Sequence, residues 1–258
     1  MITEDNMEGE KKIFIATHKK FTAPKNNIYI PIHVGAYNKP DLGFLKDSSG
    51  DNISEKNPYF CELTGVYWIW KNCKSDIVGL VHYRRYFYNG FFKKINNIMT
   101  SNDIEKILEK KDIIVSKPVY ILFSSVRNKY EKLHLKEDLD KCEKIIIDKF
   151  PEYKEAFDKV MKRHFLYPYN MIITKKEIFD EYSKWMFDIL FELEKQIDVK
   201  KRDTYNARVF GFLSERLLNV WIEKNKQYKI AKKHVFNTEE NIHLQRLNYI
   251  WRKLLIFK

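Results

Sequence analysis

The segment "DIVGLVHYRRYF" (residues 76–87) decides how this chain is read. Ile77 to Val81 form an unbroken apolar run of strand length. That pattern belongs to a strand of parallel type, covered on both faces in an α/β sheet. The following residues set a histidine, two arginines and three aromatic rings against the carboxyl end of that strand. In open α/β sheets ligands collect outside the carboxyl ends of strands, so His82, Arg84 and Arg85 fall where a substrate would bind. Arginine offers a rigid fork of donors that matches phosphate oxygens and keeps its charge when half-buried. The rings of Tyr83, Tyr86 and Phe87 can wall off water or stack on a base or sugar. A purely structural account also exists, with one arginine paired to Asp76 or Glu62 and the rings filling core.

Outward from this segment, "KKIFIATHKK" (11–20) and "IYIPIHVG" (28–35) read as strands, although Pro31 argues against a central place for the second. A polar loop over 41–57 leads to an expected helix over 58–72, with Asn57 as its cap and Pro58 in its first position. A helix over 101–111 and a strand over 112–118 complete an alternation that predicts an α/β sheet with right-handed crossovers. Beyond residue 137 the pattern becomes mainly helical. Two charged helices over 137–163 divide at Pro151, and a strand follows at 167–174. A long helix (175–197), another helix (206–225) and a last strand (228–236) complete the series. The expected organisation is one domain over 1–236 and a basic amphipathic helix over 237–258.

The chain has 258 residues, 44% of them hydrophobic, enough for a sizeable core. No apolar run reaches the roughly 18–20 residues that cross a bilayer. The charged start "MITEDNMEGEKKIFIATH" lacks the apolar core of a signal peptide, so a cytoplasmic location is expected. Three scattered cysteines (Cys61, Cys73, Cys142) argue against a disulfide framework and against zinc. The net charge of +12 favours an anionic partner: nucleic acid, an acidic membrane face or a phosphorylated substrate. A generally basic surface that serves solubility is the alternative. Acidic residues scattered among the lysines, with no nucleic-acid motif, make nucleic acid the less expected partner. In "LQRLNYIWRKLLIFK" (244–258), Leu244, Leu247, Trp251, Leu254 and Leu255 follow helical spacing among Arg246, Arg252, Lys253 and Lys258. Such a helix suits the inner face of an anionic membrane, or packing on its own domain or a partner.

The ordered set "ATHKK", "GDNISEKNPYFCELTGVYWIWKN", "VGLVHYRRYF", "YNMIITKKEIFDEYSKWMFDILFELE" and "RVFGFLSERLLNVWI" spans most of the chain. Together these segments resemble a family of glycosyltransferases from bacterial capsular and exopolysaccharide loci, catalogued as a domain of unknown function. The resemblance implies a GT-A-like nucleotide-diphosphosugar transferase fold. That fold is a mixed, mainly parallel sheet flanked by helices, with a helical C-terminal portion. It further implies transfer of a hexose, galactose in pyranose or furanose form, from a UDP-sugar donor to a lipid-linked oligosaccharide.

Read through that resemblance, Thr17 and His18 end the first strand, whose exit meets the nucleotide. Asp51 and Asn52 can bind a sugar hydroxyl or ribose, though loop residues of this type also serve turns. Asn170 can orient a sugar hydroxyl or make a turn. Tyr59, Glu62, Tyr67 and Trp70 are assigned to packing, with Glu62 the least comfortable there. Most GT-A enzymes hold Mg²⁺ or Mn²⁺ with an Asp-x-Asp sequence that neutralises the departing diphosphate. Here "HYRR" stands at the comparable place. The one Asp-x-Asp, "DLD" (138–140), falls in an expected helix, where residues two apart do not face each other, and is read as a solvated face. The expectation is that Arg84 and Arg85, with His82, replace the ion and that no metal is required, although scattered carboxylates leave a Mg²⁺ or Mn²⁺ site open. His134, just ahead of that helix, is a weaker candidate for the site.

An inverting reaction also needs a carboxylate to take the proton of the attacking hydroxyl. In the helix at 206–225, Phe210, Leu213, Leu217 and Trp221 share one stripe, which leaves Glu215 and Arg208 on another side. Periodicity allows that side to be solvent or cleft, and the resemblance makes it cleft, with Gly211 admitting a ligand. The residues therefore point to a catalytic pair, Glu215 and His82, and a donor site of Thr17, His18, Asp51, Asn52, Arg84, Arg85, Asn170 and Arg208. A nucleic-acid-binding module and a non-catalytic scaffold of a polysaccharide assembly are the competing readings.

Overall fold

In the computed structural model, which describes residues 10–89 and 97–239, the apolar run becomes β4 (Ile77–His82), buried from Val78 to Val81. To one side of it lie β1 (Lys11–Thr17), β2 (Tyr29–His33) and the short β3 (Leu45–Lys46), all mutually parallel. Pro31 is tolerated within β2 because β3 covers only Ile32 and His33 on its outer side. β5 (Arg85–Tyr88) leaves β4 through the two-residue turn Tyr83–Arg84. The Tyr83 N–H ties that turn to the Ala16 carbonyl (3.1 Å), and the Tyr86 hydroxyl spans it to the Tyr83 carbonyl (3.0 Å).

Three further strands complete the sheet: β6 (Ile113–Ser116), β9 (Ile172–Lys175) and β10 (Ile230–Asn237). β9 runs antiparallel between β4 and β6, β6 is parallel to β10, and β10 is antiparallel to β5. Strands β4, β9, β6, β10 and β5 thus pair in a ring. The sheet is mixed but not mainly parallel, because its described pairings divide evenly between the two directions. An apolar run reports burial on both faces, and it is silent on direction.

Alternate side chains of each strand feed two cores. Phe14, Val78, Leu80, Val115 and Ile172 face the larger one, while Ile13, Ile15, Val81, Ile114 and Ile173 face the smaller. α3 (Ser101–Leu108) covers the smaller core, opened by a reciprocal cap between Thr100 and Asp103. The larger core is built by α1 (Asn57–Phe60), α2 (Leu63–Asn72), α4 (Val126–Leu133), α5 (Lys136–Lys149), α6 (Lys154–Lys162), α7 (Lys176–Glu194) and α8 (Val209–Lys224).

Three expectations change. The helix expected over 58–72 breaks at Cys61 (φ 53°, ψ −132°), so that Phe60 of α1 stacks on Phe210 of α8 while Tyr67 of α2 packs on Phe187 of α7. Asn57 is the first residue of α1, and its side chain makes no N-terminal cap. Its Nδ2 crosses the break to the Cys61 carbonyl (2.7 Å) and Thr64 Oγ1 (3.1 Å). The "DLD" segment lies on α5 as expected, but Asp138 is 2% exposed and forks with Arg202 at 2.7 Å to each oxygen. Only Asp140 faces solvent, beside Lys136 and Arg127. The small antiparallel pair of β7 (Val119–Tyr120) and β8 (Phe165–Leu166) and the helix α4 are additions that the hydrophobic pattern did not mark.

The basic helix expected over 237–258 lies, from residue 240 on, outside the described residues, and Asn237 closes β10. Among the described residues no helix is long and apolar enough to cross a membrane.

Candidate active site

At the carboxyl ends of β1, β2 and β4 a cleft of about 510 Å³ opens. The sheet contributes Ala16 and His18 from the exit of β1, Val34 after β2, and the hairpin residues His82 to Arg85. The helical layer contributes Asn57, Pro58, Cys61 and Glu62 from the α1–α2 break, and Arg208 and Glu215 from the start of α8. Tyr169, in the turn before β9, closes the floor.

That turn organises the reactive groups. Tyr169 and Asn170 both have positive φ (81° and 52°), a conformation costing about 1–3 kcal/mol for a residue other than glycine. In return the Tyr169 carbonyl accepts from His82 Nε2 (2.8 Å), and its N–H donates to Glu215 Oε1 (3.2 Å). Asn170 Nδ2 donates to Glu62 Oε1 and to Ser214 Oγ, each at 2.8 Å. One strained turn therefore fixes the histidine and both carboxylates of the cleft.

Since a carbonyl oxygen can only accept, His82 Nε2 carries the ring hydrogen and Nδ1 keeps its lone pair. Burial holds the His82 pKa below the usual histidine range, against an upward pull from Glu62 and the Tyr169 carbonyl, while Arg85 and Arg84 depress it further. The ring is neutral at pH 7 and acts as an acceptor. Glu215 moves the other way. Burial raises its carboxyl above the ordinary value, and repulsion from Glu62 adds to this, while Arg216, the Tyr169 N–H and Arg85 restrain the rise. Arg216 Nη1 lies 3.2 Å from Glu215 Oε2.

The arginines are held in different ways. Arg85 lies over the Tyr169 ring, 4.7 Å from its centroid. Arg84 pairs with Glu239 (2.9 Å), which Lys19 also approaches at 3.4 Å. Arg208 Nε donates to Cys61 Sγ (3.3 Å), and burial pushes that thiol up to about 11. His18 meets Tyr83 edge to face, and burial, with Lys19 and Arg84, lowers its pKa.

The structure thus gathers His18, His82, Arg84, Arg85, Arg208 and Glu215 around one cleft. Other expected site residues lie elsewhere. Thr17 is buried, its hydroxyl bonded to the Lys19 backbone in the turn after β1. Asp51 accepts from the Tyr67 hydroxyl (3.1 Å), and Asn52 Nδ2 donates to the Ser48 and Gly50 carbonyls, so both close a loop over α2. Asn170 is buried outside the lining and touches it through its bond to Glu62. His134 stacks against Phe212 and Tyr205, away from the lining. Of the hairpin rings only Tyr83 lines the cleft, because Tyr86 and Phe87 are buried beneath it. Gly211 makes room for a neighbouring residue of the chain: a Cβ there would lie 3.1 Å from Cys61 Sγ.

Glu62, Cys61 and Tyr169 join the site although the sequence reading left them out of it. Glu62 carried a faint signal as a carboxylate in an aromatic run. Nothing marked the break at Cys61, and only Asn170, a residue tolerant of positive φ, hinted at the turn.

A divalent cation fits this cleft poorly. Its two carboxylates are already engaged by donors and stand among three arginines, and no group of three or more metal-ligating side chains occurs among the described residues. The cleft suits an anion.

The architecture is similar to that of a glycosyltransferase. The solved structure described as "WbbM bifunctional glycosyltransferase apo structure" superposes with a TM-score of 0.83 at 30% sequence identity, over 90% of this chain and 46% of that one. The chain therefore spans about half the length of the protein it matches. By sequence, residues 12–226 match "Domain of unknown function (DUF4422)", and the chain belongs to that family. No curated protein matches it.

Proposed function

We propose that the chain is a metal-independent, GT-A-like glycosyltransferase. In this reading it moves a hexosyl unit, galactopyranose or galactofuranose, from a UDP-sugar to a hydroxyl of a lipid-linked oligosaccharide. The reaction would take place at the inner face of the membrane, in capsule or exopolysaccharide synthesis. The observation that carries the reading is the meeting of Arg84, Arg85 and Arg208 with Glu62, Glu215 and a neutral His82 in one cleft at the strand ends. The likeness to a glycosyltransferase structure supports it.

A nucleoside diphosphate leaves with growing negative charge, and preorganised guanidinium groups stabilise such charge in a water-poor cleft. Glu215 takes the proton of the attacking hydroxyl. Its raised pKa makes it a stronger base than a solvated glutamate. The His82 Nδ1 lone pair accepts from a substrate hydroxyl and helps orient it.

Glu215→Gln tests the assignment, because it keeps the shape and removes the base. UDP binding is expected to persist while kcat falls by about 10²–10⁴. Wild-type turnover in the Gln variant would remove Glu215 from the mechanism. Failure of every nucleotide and nucleotide sugar to bind the native chain would remove the function itself.

A further inference from the structure

The loop between β7 and α4 presents a feature that the cleft does not use. Tyr120, Leu122 and Phe123 are 70%, 61% and 102% exposed, whereas Ile121 and Val126 beside them are buried. Phe123 has φ 57°, so a bulky aromatic residue occupies the left-handed region and is turned fully into solvent. The loop is tied down on both sides of this tip. Ile121 N–H donates to the His164 carbonyl (2.7 Å), His164 Nδ1 donates to the Ser124 carbonyl (2.7 Å), and Val126 N–H donates to the Arg163 carbonyl (2.9 Å). A leucine and a phenylalanine are thus displayed to water on a braced turn, at a cost in both hydration and backbone strain.

Charges of both signs flank the loop: Arg127 of the hollow beside it is matched by Glu131, Asp140 and Glu143, while Lys117, Lys162 and Lys232 are exposed. Lys162 lines the same hollow of about 430 Å³ as Phe123, and its one acid, Asp158, is neutralised by Lys154 at 2.6 Å. Lys117 precedes Pro118 and β7, and Lys232 on the neighbouring β10 stands over the Tyr167 ring. The position in the fold also matters. β6 runs in the same direction as β1 and β4, so the loop that follows it leaves from the edge where the cleft opens. At that edge Ser116 Oγ donates to the Pro168 carbonyl, one residue before the turn that holds His82 and Glu215.

We propose that residues 119–125 form a membrane-seating loop. Leu122 and Phe123 enter the boundary between headgroups and acyl chains of an anionic bilayer, and Lys117, Lys162 and Lys232 meet its phosphates. Apolar side chains beside lysines match the chemistry of such a surface, and the chain's +12 charge adds attraction toward it. Seated this way, the loop holds the carboxyl edge of β6 near the bilayer that would carry a lipid-linked acceptor. The bilayer contact itself does not depend on the transfer chemistry.

The test is co-sedimentation of the full chain with phosphatidylcholine vesicles, with and without phosphatidylglycerol. The native chain is expected to bind only the anionic vesicles, and Leu122→Ser combined with Phe123→Gly to reduce partitioning by roughly tenfold. Glycine relieves the positive φ, so this variant should unfold at an equal or higher temperature, and its UDP binding should be unchanged. Loss of vesicle binding therefore cannot arise from misfolding or from a damaged cleft. Wild-type partitioning by the variant would overturn the proposal, as would loss of binding only in a Leu247→Ser, Trp251→Ser chain. Absence of vesicle binding by the native chain, with a dimer that the loop variant dissolves, would make the loop a contact between copies and overturn it too.

Discussion

Arg84 and Arg85 are adjacent in sequence, yet they stand ready in different degrees. Arg85 is stacked on Tyr169 and already faces the cleft, while Arg84 is occupied by Glu239. Both partners of the second pair are more than a third exposed, and such pairs are weak enough for a diphosphate to displace the carboxylate. Arg85→Ala should therefore weaken UDP binding by about 10- to 100-fold, the worth of a charge-assisted hydrogen bond. Glu239→Gln should tighten it by roughly a few-fold, since Arg84 and Lys19 are released. Isothermal titration on the two variants reads both effects, and weaker binding in the Glu239 variant would contradict the displacement. The carboxylates yield a second expectation. As pH falls through the raised pKa of Glu215, the base is protonated and kcat/KM declines, so the acid limb lies above the ordinary glutamate value of 4.5. Glu62 contributes to that rise, so Glu62→Gln should move the limb to lower pH, and a pH profile in which it stays fixed would uncouple the two acids.

At the scale of elements, the cleft depends on how closely β4 and β9 approach. Gly79 faces Ile173 so tightly that a Cβ would sit 2.6 Å from its Cγ1 and 2.7 Å from the Ile172 carbonyl oxygen. Backbone cannot swing aside, so Gly79→Ala must part the strands, at a cost of about 1–3 kcal/mol in denaturant unfolding. β4 ends at His82, and β9 follows the Tyr169 turn, so UDP affinity should fall in the same variant. An unchanged affinity would show that the hairpin and the turn are positioned independently of the strands. This dependence also explains what could be read from the residues in advance. Burial of β4 was legible because five apolar residues in a row need cover on both faces. The entry of β9 between β4 and β6 was not, since it depends on pairings made across the chain. The same division holds for the site. His18, His82, Arg84 and Arg85, which line the cleft, could be placed at the strand ends from sequence, whereas periodicity left Arg208 and Glu215 between solvent and cleft and only the family resemblance turned them inward. Cys61 and Tyr169 were missed because positive φ at cysteine and tyrosine has no sequence mark, and Glu62 was assigned to packing because the break at Cys61 beside it could not be read. Asp51 and Asn52 misled because loop residues able to hold a sugar are equally able to hold their own loop.

Across the whole molecule, the cleft joins parts of the chain that lie far apart in sequence: the exit of β1, the β4–β5 hairpin, the α1–α2 break and the start of α8. A ligand that bridges Arg85 and Arg208 therefore ties the sheet to the helical layer, and its binding energy opposes unfolding of both. At a hundredfold excess over Kd this amounts to about 2.7 kcal/mol, or about 5–10 °C in Tm for a chain of this size. In the proposed reading the guanidinium groups supply the positive charge that a divalent ion provides in other diphosphate sites, since the cleft's carboxylates are already engaged. UDP should thus produce the shift in the presence of EDTA, with Mn²⁺ adding little. A shift seen only with Mn²⁺ would mean that a cation completes the site and that the arginines do not suffice. Salt separates a built site from diffuse attraction. With +12 net charge the surface will gather polyanions at low ionic strength, but those contacts are screened by added salt. A UDP shift that survives moderate salt and shrinks in Arg85→Ala belongs to the cleft, whereas one that fades with salt in both chains belongs to the surface.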